Sequence, residues 1–233
     1  MNYCILNGID SRSINGLLIQ SLPPIVKPLQ RTIIEEIDGR DGNIITPLGF
    51  AAYDGEMTIG LHKDYDINEI ISFFNSEGLA TFSNEPDKYY KYNILNQIDF
   101  ERLIRFKTAT VTFHKQPFKY LVDEEQLDFD TSELDEVVVE NVGNYFSKPT
   151  ITLTGSGIIN LSLNDYQLFA VDLSNDGYIT IDADAVEAYA GGELKNRLVT
   201  GDIENLKLQT GNNVFTWSGE LTELSVSNYT RWI

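Results

Sequence analysis

The residues best spaced to do chemistry lie in "DLSNDGYITIDA", Asp172 to Ala183. Asp172, Ser174, Asp176 and Gly177 match positions 1, 3, 5 and 6 of a calcium loop, where alternate oxygen-bearing side chains converge on a hard cation and glycine makes the sharp turn. The pattern stops there. Position 12, which should be a bidentate acid, is Ala183. The flanks read as strands rather than helices, with Ile179 and Ile181 alternating against Thr180 and Asp182. Asn, Asp and Gly tolerate positive φ, so "SNDG" predicts a β-hairpin turn and no metal site.

Other candidate chemistry is thinner. His62 and His114 have no second His or Cys at a zinc-ligand spacing. Ser156 in "TGSGI" lacks the Gly-x-Ser-x-Gly elbow of a nucleophile. No phosphate-cradling glycine loop occurs. With 35 acidic side chains some carboxylate pair will always lie close, so abundance alone does not indicate a glycosidase. "DGRDGN", Asp38 to Asn43, spaces its carboxylates three apart and reads as a tight loop between strands. Arg40 at its tip could pair with a carboxylate on another subunit. No catalytic residue, metal ligand or cofactor is therefore expected.

The elements that carry these residues are mostly strands. "EEIDGRDGNII" reads as strand, Gly/Asp turn, strand, and "TPLGFAAYDGEMTIGL" continues in the same manner. One helix stands out: Ile67, Ile70, Ile71 and Phe74 form a stripe at i, i+3, i+4, i+7. Asp66 and Glu69 are placed as a capping box, and Gly78 is placed to end the helix. The segment from Lys88 to Leu121 reads as β-rich with a turn near Asn96-Gln97. From Val137 onward, short strand candidates recur every 8–14 residues, as in an antiparallel sandwich. "PTITLTG" sets Ile151 and Leu153 on one face and its threonines on the other.

Charge divides the chain. Residues 1–122 carry 12 basic and 15 acidic side chains, residues 123–233 only 5 basic and 20 acidic. The acidic run "DEEQLDFDTSELDE", Asp123 to Glu136, reads as an exposed linker or loop, so the boundary is expected within 122–136. The expected domains are 1–130 and 131–233. A net charge of −18 disfavours binding to phosphate backbones or anionic lipid. The single cysteine excludes an internal disulfide, and neither a secretory signal nor a membrane span is expected.

Taken in order, several segments resemble the distal tail proteins of long-tailed, non-contractile phages of Gram-positive bacteria. In the first half these are "DGRDG", "GFAAYDGEMTIGL", "DYDINEIISFFNSEG", "TFSNEPDKYYKYNI" and "ATVTFHKQPFKYL". In the second they are "NVGNYFSKPTITLTGSG", "LSNDGYITIDA", "LQTGNNVFTWSG" and "NYTRWI". The resemblance implies a mainly β protein of two domains: an N-terminal, tail-tube-like β-sandwich with one packed helix and a C-terminal galectin-like sandwich. It implies a hexameric ring at the tail tip of the virion, assembled in the host cytoplasm. The ring would join the tail tube to tail-tip, receptor-binding or tail-associated lysin proteins and leave a channel through which DNA passes unbound. Gly39, Arg40, Asp41 and Gly42 fall on the family's loop motif and become candidates for a subunit contact. The alternative is a carbohydrate-binding module for host cell-wall glycans, using Trp217, Tyr189 and Trp232 as ring platforms. Against it, the alternation of "NVFTWSGELTEL" places Trp217 in the core.

Overall fold

Period-two alternation builds both halves of the chain, and it is clearest where strands meet a shared core. The computed structural model describes residues 1–74 and 77–233. It divides into two units, Met1–Val122 together with Ile233, and Asp123–Trp232.

The first unit runs β1 (Cys4–Leu6), β2 (Ile9–Asp10), β3 (Leu17–Ser21), β4 (Gln30–Glu36), β5 (Asn43–Phe50), β6 (Tyr53–Leu61), α1 (Ile67–Phe73), β7 (Glu77–Phe82), β8 (Glu85–Asn93), α2 (Phe100–Phe106) and β9 (Thr108–Leu121). Seven strands form one antiparallel sheet in the order β2-β1-β7-β8-β9-β6-β3. Met57 and Ile59 of β6 and Val111 and Phe113 of β9 point into its core and are fully buried. β4 and β5 pair only with each other.

α1 begins where expected, with the Asp66 carboxylate accepting from the Asn68 N–H. It is seven residues long and buries Ile70 and Phe73. Gly78 does not cap it: this glycine lies within β7 with φ +147°. The expected helix end at Asn75 and Ser76 falls outside the described residues. A second helix, α2, interrupts the stretch read as continuous β. Asp99 caps it by accepting from the Arg102 N–H at 2.8 Å, and Leu103 anchors it in the core. Lys107 ends it in the left-handed conformation, φ 59°.

The second unit contains β10 (Leu127–Asp130), β11 (Glu136–Asn141), β12 (Thr150–Leu163), β13 (Tyr166–Asp172), β14 (Tyr178–Asp182), β15 (Glu187–Ala190), β16 (Glu193–Leu194), β17 (Val199–Gly201) and β18 (Gly211–Ser227). β10 lies inside the acidic run read as a linker, and it pairs with Glu223–Val226. Residues 123–130, placed above with the N-terminal domain, thus belong to the second unit. β12 and β18 pair along nearly their whole lengths. Their N- and C-terminal halves collect different neighbours, β10, β14, β15 and β16 on one side of a bend and β11, β13 and β17 on the other. Ile151, Ile181 and Leu224 from one set share a core with Val139, Phe169 and Phe215 from the other.

The bend needs glycine. A Cβ at Gly155 would meet the Glu220 carbonyl oxygen at 2.1 Å, and one at Gly219 (φ +106°) would meet that of Ile158 at 2.4 Å. At this same level lies the "SNDG" turn, and it is not a hairpin. β13 and β14 both run antiparallel to β12, against Ile158–Leu163 and Thr150–Thr154 in turn. The chain makes an excursion through residues 173–177 and rejoins the same line. Leu173 N–H donates to the Gly157 carbonyl and Gly155 N–H to the Gly177 carbonyl, which pins the excursion to the bend.

Candidate interaction site

The loop residues Gly39, Arg40, Asp41 and Gly42 sit at the tip of the β4–β5 hairpin, and all four are exposed. Gly39 (φ +80°) and Gly42 (φ +79°) supply the positive φ values that reverse the chain. Arg40 N–H closes the turn on the Ile37 carbonyl at 3.1 Å. Gly49 (φ +102°) lies opposite a register shift between Arg31 and Thr32. Pro47, which cannot donate to a ladder, fits a strand with an open edge.

The hairpin is an arm without a core of its own. Every residue of β4 is exposed. Ile34 and Ile45 form a cross-strand pair on one face, and Ile33 pairs with Thr46 on the other. Ile34 and Ile45 are 58% and 59% exposed. Leu29, Ile37 and Leu48 add further uncovered apolar surface. A solvated two-stranded ribbon is marginal in water, and uncovered apolar strands mark interaction sites.

The root of the arm is held firmly. Ala51 N–H donates to the Leu29 carbonyl at 2.8 Å, and the Phe50 ring packs edge-on against Phe118. Beneath it, alternation along β9 that buries Val111 and Phe113 also turns Lys115 and Lys119 inward. Lys119 pairs with Glu85 at 2.8 Å, and the Tyr90 hydroxyl donates to the other Glu85 oxygen. The Lys115 ammonium lies 4.7 Å from the ring centre of Tyr53 and 4.6 Å from that of Tyr90. Burial lowers Lys115 to about 8 despite the Glu85 charge, and burial raises Tyr53 to about 12.

The remaining candidates are dispersed. Trp217, in β18 opposite Leu161, is partly buried and packs on the core. Tyr189 lies in β15 opposite Thr180, and Trp232 lies in the C-terminal segment. Asp172 accepts from the Ser174 N–H, which holds its carboxyl below the usual range. Asp176 faces Lys195 at 3.6 Å. The Ser156 hydroxyl donates to Glu220, and His114 Nδ1 lies 2.8 Å from Asp54. Among the described residues, no three His, Cys, Asp or Glu side chains group to hold a metal ion.

Over 100% of both chains, the structure is similar to the crystal structure of SPP1 Dit (gp 19.1), with a TM-score of 0.68 and 17% identity. The fold is that of a distal tail protein. SPP1 Dit is described as a paradigm of the hub adsorption apparatus in Gram-positive-infecting phages. A chain of the phage P2 baseplate in its activated conformation with Ca aligns with a TM-score of 0.46 at 10% identity, covering 100% of this chain and 98% of that one. The same baseplate with Sr gives 0.46 and 10%, covering 97% of each chain. No family profile and no curated protein sequence matches the chain.

Sequence reading placed the tip of the arm on the distal-tail motif but missed the apolar flanks. Their signal was legible. "TIIEE" and "NIIT" place adjacent isoleucines on opposite faces of a strand, so at least one of each pair must find a partner beyond a one-sided core.

Proposed function

We propose that the chain is a structural hub subunit at the tail tip of a long-tailed phage of Gram-positive bacteria, and that its copies join in a ring through the β4–β5 arm. The observation that carries this reading is the arm itself: a rooted hairpin with apolar residues on both faces and no cover from its own chain. An arm that reaches a different surface on the next copy makes a heterologous contact, which repeats and closes into a ring when the rotation allows. Gly39, Arg40, Asp41 and Gly42 then form the leading edge of that contact.

The distal-tail fold supports the number six, with the ring between the tail tube and the receptor-binding or lysin proteins of the tip. The N-terminal domain forms the ring, and the more acidic C-terminal domain faces those partners. DNA passes through the central channel, and a chain of net charge −18 gives its phosphates nothing to hold. The role is mechanical and needs no catalytic group or cofactor.

Light scattering on the purified chain over a range of concentrations tests this. Six copies of a 26.3 kDa chain give a mass of about 158 kDa. A single species of one chain's mass at every concentration would refute the reading.

A further inference from the structure

We propose that the acidic tip of the β4–β5 arm docks in the groove beside α2 of a second copy of the chain. This rests on the ring reading above and names the acceptor that the ring requires.

The groove is an open cavity of about 590 Å³ lined by Asp99, Glu101, Arg102, Arg105, Phe106 and Thr108. α2 turns only Leu103 fully into the core. Its outer surface presents Ile104, 40% exposed, and Phe106, 69% exposed, beside the two arginines. An aromatic ring flanked by guanidinium groups is the composition of an interface core. Glu101 lies 3.6 Å from Arg105, so part of the groove's own acidity is already answered.

The arm tip has the complementary character. Between Glu35 and Asn43 it carries four acids, Glu35, Glu36, Asp38 and Asp41, and one base, Arg40. Ile34 and Ile37 lie among them, 58% and 46% exposed. The groove thus offers an apolar ring with cations, and the tip offers apolar side chains with carboxylates. Opposed charge fixes register and orientation at such a contact, while the apolar pair supplies the burial. Arm and groove are different surfaces of one unit, so the contact is heterologous and propagates around a ring. An exchange of arms between two copies would instead stop at a dimer.

Charge reversal tests the pairing on the full chain. Arg102→Glu with Arg105→Glu should weaken assembly at least tenfold by mass photometry, and Glu35→Arg with Glu36→Arg should do the same. Mixing the two variants should not restore a closed ring, because each copy still holds one mismatched surface, but the four substitutions combined in one chain should. A second variant, Ile37→Cys with Phe106→Cys, should give disulfide-linked ladders under oxidation, whatever the fate of the reversals. If Arg102→Glu with Arg105→Glu assembles as the native chain does and the cysteine pair stays unlinked in assembled protein, the acceptor lies elsewhere and the ring reading survives. If the native chain is itself a monomer, the ring reading falls, and this inference with it.

Discussion

Ile34 and Ile45 stand opposite each other across the β4–β5 ladder, and each leaves more than half of its surface in water. In a lone chain this pair contributes little to folding. Replacing both with Asp should therefore leave the urea midpoint within about 0.5 kcal/mol of native, the usual range for surface changes. Assembly should be lost, because the same side chains are buried in the ring. Light scattering beside a denaturation curve separates the two effects.

Lys115 carries a pH signature. Its pKa in the folded chain, about 8, lies below its ordinary value of 10.5 because of burial. Between those pH values the unfolded chain holds a proton that the folded chain has released, so stability rises with pH across the window. Below pH 8 both states are protonated and the full cost of burying the charge remains. A shift of this size corresponds to roughly 3 kcal/mol. Lys115→Met keeps the apolar stem and removes the charge. It should stabilise the chain by about 1–3 kcal/mol at pH 7 and flatten the rise between pH 8 and 10. Urea titrations at pH 7 and 9.5 would show this, and a native-like slope in the variant would assign the rise to another group.

Glu124 holds the end of the second unit. Its carboxylate accepts from the N–H groups of Tyr229 (3.0 Å) and Thr230 (2.9 Å) and from the Thr230 hydroxyl. Burial raises its pKa, and these hydrogen bonds oppose the rise. Glu124→Ala leaves two backbone donors without their acceptor and should cost about 1–3 kcal/mol. Amide hydrogen exchange should speed first at Tyr229 and Thr230. Protection unchanged at those two positions would show that another group holds the segment.

Gly219 should tolerate no side chain. Its φ of +106° disfavours every L residue, and a Cβ would press on the Ile158 carbonyl oxygen. Gly219→Ala should cost roughly 2–4 kcal/mol, since backbone strain and overpacking both act. Gly177→Ala, with φ +72° but open space around it, should cost less, about 1 kcal/mol. Equal losses in the two variants would mean that the bend in β12 and β18 is not tightly packed.

The sequence made the strands legible wherever one face is buried, as in Ile151 and Leu153, both fully buried. It misread "SNDG" because turn chemistry specifies a local reversal of φ and not the partner of the next strand. β13 and β14 are separated by hairpin-like residues, yet both take β12 as their neighbour. It also missed α2. Phe100, Leu103 and Phe106 have helical spacing, but the β-rich residues on either side masked a helix only seven residues long. The tip of the candidate site was found through a resemblance carried by "DGRDG". The apolar flanks that give the arm its use were passed over, since a strand reading explained them without asking which surface would cover both faces.

The most direct test is negative-stain imaging of the purified full-length chain. Class averages should show a six-fold annulus with an open centre, and the Ile34→Asp, Ile45→Asp variant should show isolated particles only. A native sample composed of solid monomers or two-fold dimers would contradict a ring-forming tail-tip hub.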